Sequence, residues 1–245
     1  MKTRENLNHP VQRWLVVVLY AIAMAWVESA AVLYLRTITH RLDPYQPNPL
    51  TGPHELVWAE LVRELATMIM LATVGWLAGR NFRTRFGYGL IAFGVWDICY
   101  YLFLIPLTGW PRSWLDWDVL FLIPLPWWGP VLAPTLIAAL MVLFGTLVTQ
   151  GTGEGDRPWP GWASHVACAI GIVLALYVFM ADAIRIAGQG ETALREMLPT
   201  RFNWPLYVVA LVLIASPVID VARQIIVPPK QPTTDIAPDG VPDAH

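Results

Sequence analysis

The chain has 245 residues, of which 56% are hydrophobic and 14% are charged, and its formal net charge is −2. A soluble domain carries about 25% charged residues, so the composition excludes an ordinary soluble protein. The small net charge gives no indication of a nucleic-acid partner. Apolar runs of about 20 residues recur without the alternation of barrel strands, and each is long enough to cross about 30 Å of hydrocarbon. The sequence therefore predicts an all-α, polytopic transmembrane helical bundle in contact with the lipid bilayer.

The apolar runs predict about six membrane spans within a single domain, residues 14–226. The predicted spans are 14–35, 55–78, 86–107, 129–149, 162–187 and 205–226. A short segment, 1–13, precedes them, and the proline-rich tail 227–245 is predicted to be disordered because it lacks apolar periodicity. The first run continues past its small-residue stretch to Leu35, which favours a retained span over a cleaved signal.

Residues 113–128 read SWLDWDVLFLIPLPWW and fit no span. Joined to the fourth span they would make a helix too long for one crossing, and their prolines would break it. Ser113 followed by Asp116 resembles a helix start, where Asp116 would cap the first turn. The tryptophans suit a membrane–water interface. We therefore predict a short interfacial or re-entrant helix at about 113–123.

The distribution of basic residues predicts the orientation. The clearest basic segment is NFRTRF, after the second span. Because cytoplasmic loops carry an excess of Lys and Arg, this segment favours a cytoplasmic N-terminus and a cytoplasmic C-terminus. Short loops and a compact size suggest a bacterial inner membrane.

Acidic side chains recur inside the predicted spans at a similar depth. At a rise of about 1.5 Å per residue, Glu28 lies about 10 Å, Glu64 about 13 Å, Asp97 about 15 Å and Asp182 about 8 Å below the outer ends of their spans. A charged side chain at the centre of a spanning helix costs about 2.5–3.5 kcal/mol on insertion scales. These acids are therefore expected to face the bundle interior, with partners or protons.

Helical spacing predicts which polar residues meet. Glu60, Arg63 and Glu64 share one face of the second span, and small residues near Glu28 permit close approach of another helix. Our hypothesis is a polar cavity in the outer half of the bilayer. The catalytic candidates are Glu28, Glu64 and Asp97, and the candidate lining residues are Glu60, Arg63, Tyr100, Tyr101, Asp118 and Asp182. The alternative is that ion pairs with Arg63 simply hold helices together.

A divalent metal ion is a possible cofactor, because several acids face one embedded arginine. Carboxylates suit hard cations, and the candidate ligands are Glu28, Glu64, Asp97 and His54. The sequence contains neither HExxH nor the Glu-x-x-His motif of di-iron bundles.

Three classes of function remain open. The first is a membrane-embedded enzyme that acts on a lipid-like substrate through metal or acid–base carboxylates. The second is a cation- or proton-coupled transporter. The third is a non-catalytic accessory subunit, with a membrane-protein partner or a homo-oligomer covering its polar surface. The placement of the acids in one half of the membrane fits a one-sided enzyme pocket better than a complete proton path.

Overall fold

The computed structural model describes residues 9–41, 43–47, 54–121, 125–151 and 158–226, except the side chains at 54–57, 191 and 195. It is a helical bundle with one small sheet. The helices are α1 Pro10–Ile38, α2 His54–Ala78, α3 Phe82–Thr108, α4 Leu132–Gln150, α5 Trp162–Ile186, α6 Glu191–Glu196, α7 Trp204–Ile214 and α8 Ser216–Ile226. The tail 227–245 and positions 1–8 lie outside the described residues.

The described part of the chain contains six helical segments long and apolar enough to cross a membrane. They are α1, most of α2, α3, α4, α5 with the 3₁₀ turn that follows it, and α7 together with α8. The predicted bundle of about six spans is therefore confirmed, and the chain is an integral membrane protein. A single turn residue, Ala215, separates α7 from α8 within the last span.

The predicted helix at about 113–123 is wrong. The chain forms an antiparallel hairpin of β1, Trp117–Phe121, and β2, Trp127–Pro130. Aromatic and β-branched residues favour strands, and the prolines exclude a continuous helix. Asp116 does not cap a helix, because its Oδ2 accepts hydrogen bonds from the backbone N–H groups of Arg112 and Ser113, at 2.7 and 3.2 Å, and so closes a turn. Residues 122–124 lie outside the described part.

Helix α3 packs against α1, α2 and α4, whereas α5 packs against α7 and α8. Glycines let α3 and α4 approach backbone to backbone. A Cβ on Gly145 would lie 2.4 Å from the carbonyl oxygen of Gly87, and a Cβ on Gly94 would lie 2.5 Å from that of Ala138. Such contacts need residues without side chains, so this sequence brings the two helices together at these positions.

The bundle has two ends. At the hairpin end, β1 and β2 lie with the C-terminal ends of α1, α3 and α5, and the Tyr45 hydroxyl donates to the carbonyl of Pro199 at 2.6 Å. At the opposite end, the Tyr88 hydroxyl donates to the carbonyl of Pro10 at 3.3 Å. The polar residues singled out in the spans lie toward the hairpin end.

Candidate functional site

A guanidinium group joins two carboxylates between α1 and α2. Arg63 donates from Nη1 to Glu28 Oε1, and from Nε to both oxygens of Glu60 at 3.1 and 3.0 Å. The second oxygen of Glu28 accepts from the Thr67 hydroxyl at 3.1 Å. Both oxygens of Glu28 are therefore bonded, and the residue is only 7% exposed.

The local sequence explains this arrangement. Glu60, Arg63 and Thr67 follow one another at three- and four-residue spacing and so share a face of α2. On α1, the small residues Ala25 and Ser29 are fully buried. The Ser29 hydroxyl donates to the carbonyl of Tyr100 at 3.1 Å, which holds α1 close to α3.

A second polar group lies between α3 and β1. The Tyr101 hydroxyl donates to Asp118 Oδ2 at 3.1 Å, and Asp118 is only 5% exposed. Asp97, one helical turn before Tyr101, is close enough to Asp118 for the two carboxyl groups to repel each other. Asp97 Oδ2 is shielded from solvent and has no hydrogen-bond partner among the described residues. Two acidic side chains thus lie within electrostatic range of each other, and one of them has an oxygen without a hydrogen-bond partner among the described residues.

Arg36 belongs to this second group, although the first predicted span, 14–35, ends one residue before it. Helix α1 continues to Ile38, so Arg36 occupies its last turn and is buried. Its guanidinium lies 4.5 Å from the ring centroid of Trp110 and interacts electrostatically with Asp118. A basic residue in the last turn of a helix complements the helix dipole. Arg36, directly after the apolar run, is therefore a sequence signal that predicts a longer helix.

Tyr100 connects the two groups. It lies within electrostatic range of Glu28 and Arg63 on one side and of Arg36 and Asp118 on the other. We call the whole set the polar network, and its members are Glu28, Arg36, Glu60, Arg63, Glu64, Asp97, Tyr100, Tyr101 and Asp118. Glu64 belongs to it through electrostatic interaction with Arg63, Glu60 and Glu28.

Asp182 lies elsewhere. It pairs with Arg185 one turn along α5, at 2.5 Å, and lines a cavity bounded by α5, α7 and β1. In strand β1, successive side chains point to opposite faces, so Trp117 borders that cavity while Asp118 faces α3. The strand therefore separates Asp182 from the polar network.

Burial has the largest effect on the protonation of Asp118. Burial raises the pKa of Asp118 to about 6, because desolvation disfavours the charged carboxylate. Arg36, the hydrogen bond from Tyr101 and a backbone hydrogen bond from Val119 act in the opposite direction. Desolvation is the largest influence, so Asp118 releases its proton at a higher pH than an exposed aspartate does.

A metal site needs several ligand side chains around one point. Among the described residues, no group of three or more His, Cys, Asp and Glu side chains lies in an arrangement that could hold a metal ion. His54 begins α2, but its side chain lies outside the described part. The metal-ligand assignment of Glu28, Glu64, Asp97 and His54 thus stays a prediction.

No family model, curated protein or solved structure matches the chain. The function is therefore inferred from the chemistry of the polar network and from its place in the bundle.

Proposed function

We propose that this integral membrane protein is a membrane-embedded enzyme that acts on a lipid-like substrate and uses Asp97 and Asp118 for acid–base chemistry. The supporting observation is the shielded Asp97 Oδ2, which has no hydrogen-bond partner among the described residues. The Asp97 carboxyl group also lies within electrostatic range of Asp118. Two carboxyl groups that interact while shielded from water are suited to share one proton. One can then donate a proton while the other accepts one.

The neighbours of the pair have distinct roles in this proposal. Tyr101 fixes the orientation of Asp118 through its hydroxyl, and Arg36 offsets part of the negative charge. Glu28 is a positioning residue rather than a catalytic one, because Arg63 and Thr67 occupy both of its oxygens. Glu64 lies at the edge of the network, where it would meet a polar part of a substrate.

A one-sided site is supported by the packing at the opposite end of α1, α2 and α3. There the interior is filled by a cluster of buried apolar and aromatic side chains, namely Val17, Leu71, Tyr88, Ile91 and Ala92. A transport path would need polar or water-lined surroundings across the whole bilayer. An enzyme needs access from one side only.

Lateral access from the bilayer is supported by the surface of α2. Arg63 retains 25% exposure of its side chain. It is flanked on the same helix by the exposed apolar residues Trp58, Val62 and Leu65. In a membrane, such a surface faces lipid tails. A lipid-like substrate diffusing in the bilayer would therefore meet the polar network without first entering water.

The proposal is tested by incubating the purified protein with total lipid extracted from its native membrane and following lipid composition by mass spectrometry. The wild type and Arg112→Ala, which removes an exposed charge outside the network, are expected to convert at least one lipid species. Asp97→Asn and Asp118→Asn are expected to abolish that conversion.

Unchanged lipid profiles with the wild type would refute the enzyme proposal. The same variants then serve in liposomes loaded with a pH-sensitive dye. Proton flux that requires Asp97 would identify the chain as a proton-coupled transporter. Stable copurification with another membrane protein, without conversion or flux, would instead identify an accessory subunit.

A further inference from the structure

A second site lies at the hairpin end, apart from the polar network. A cavity of about 890 Å³ opens between the C-terminal half of α5, the segment 200–203, the start of α7 and β1. Neither Asp97 nor Asp118 lines the cavity, because β1 lies between the cavity and Asp118.

The lining of this cavity is amphipathic along the direction of the spans. Tyr177 and Val178 on α5 and Leu206 on α7 lie farther from the hairpin end of the spans than the two arginines of the lining do. Val178 is buried, and Tyr177 is half exposed. The mouth is formed by Arg185 at the end of α5 and Arg201 just before α7. The apolar and polar parts thus follow the order of acyl chains and headgroups in a lipid leaflet.

Aromatic residues mark the level of the mouth. Trp117 and Trp204 both line the cavity, and tryptophan is enriched where hydrocarbon meets the headgroup region. The cavity also lies at the ends of two spans, α5 and α7. Its mouth is therefore placed at headgroup depth.

The charge at the mouth favours an anion. The Arg185 side chain is 74% exposed and shares its charge with Asp182. Arg201 is exposed and is not paired with a carboxylate among the described residues. The lining therefore carries two guanidinium groups against one carboxylate, and guanidinium groups bind phosphate with paired hydrogen bonds.

We propose that this cavity binds an anionic phospholipid, with its phosphate at Arg185 and Arg201 and an acyl chain along Tyr177 and Val178. A free phosphate ion would leave most of the volume and all of the apolar lining unused. A zwitterionic lipid would fit the apolar part but would not use the positive charge of the mouth. The inference is independent of the proposed enzymatic function, because it concerns binding alone.

The test uses the purified full chain in a neutral detergent, with lipid binding measured by native mass spectrometry. The probes are phosphatidylglycerol, phosphatidylcholine with the same acyl chains, and glycerol 3-phosphate. We expect phosphatidylglycerol to bind most tightly. Arg201→Ala should weaken its binding by about tenfold, the effect of losing one charge-assisted contact.

Three further variants separate charge from shape. Asp182→Asn should strengthen phosphatidylglycerol binding, because it removes the only carboxylate that lines the described cavity. Ala181→Trp should block the cavity without changing its charge. Arg112→Ala, an equal loss of charge outside the cavity, should leave binding unchanged, and circular dichroism checks that each variant is folded.

Equal binding of phosphatidylglycerol and phosphatidylcholine would overturn the charge assignment. Equal binding of phosphatidylglycerol and glycerol 3-phosphate would show that the acyl chain is not recognised, and would also overturn the proposal. Wild-type affinity in both Arg201→Ala and Ala181→Trp would place the lipid elsewhere on the protein.

Discussion

Replacing Arg63 by methionine is expected to destabilise the bundle through Glu28. Arg63→Met keeps an unbranched side chain of similar length but removes the guanidinium that contacts Glu28 and Glu60. Glu60 retains access to the surface. Glu28 is buried and keeps, among the described residues, only Thr67 as a hydrogen-bond partner. Glu28 must then remain charged without its cation or take up a proton.

The size of the effect follows from the cost of protonation. An unperturbed glutamate has a pKa of about 4.3, so holding it protonated at pH 7 costs about 3.7 kcal/mol at 1.36 kcal/mol per pH unit. This cost agrees with the range of about 3–5 kcal/mol for breaking a buried ion pair. At pH 5 the same calculation leaves about 1 kcal/mol. The destabilisation should therefore shrink as the pH is lowered.

The assay is reversible unfolding in mixed micelles, followed by circular dichroism at several pH values. The double variant Glu28→Gln/Arg63→Met should recover most of the lost stability, because the buried carboxylate that needs the guanidinium is also removed. Arg112→Met, the matched loss of an exposed arginine, should have little effect. A pH-independent loss in Arg63→Met, or no recovery in the double variant, would refute this reasoning.

Three further predictions concern α3 and its neighbours. Tyr101→Phe should cost about 1–3 kcal/mol of unfolding free energy, because buried Asp118 loses a hydrogen bond. Since the pKa of Asp118 is raised to about 6, the folded state holds a proton between about pH 4 and pH 6 that the unfolded chain releases. Stability should therefore fall by about 3 kcal/mol as the pH rises from 4 to 6 and stay level above that, and Asp118→Asn should remove the slope in pH-dependent unfolding. Gly145→Ala should lower the melting temperature, because its Cβ would lie 2.4 Å from the Gly87 carbonyl. Gly89→Ala, whose Cβ meets nothing within 4 Å, should leave that temperature equal or higher.

The spans could be predicted from the sequence because hydrocarbon demands long apolar helices. The hairpin could not, since the tryptophans and acids of β1 and β2 suit an interfacial helix equally well before the pairing of the strands is known. The first predicted span also ended too early, for a related reason. Hydropathy ended the span at Leu35, although helical hydrogen bonding continues for another turn, to Ile38.

The contacts within the polar network could be predicted from the sequence only in part. Helical spacing places Glu60 and Arg63 on one face of α2, but the rotation of α1 that turns Glu28 toward them depends on packing against α3. The separation of Asp182 from the other acids could not be inferred from depth, because depth along a span does not determine which neighbours the helix has. Its place beside Arg185 and the cavity follows from the positions of α5, α7 and β1.

The most direct test of the central claim, a proton held between Asp97 and Asp118, is an infrared pH titration of the purified protein. Protonated carboxyl groups give a C=O stretching band distinct from that of carboxylates. We predict a band near neutral pH that disappears in Asp97→Asn and titrates at a different pH in Asp118→Asn. A spectrum in which both variants retain the wild-type band and its pH dependence would contradict the account.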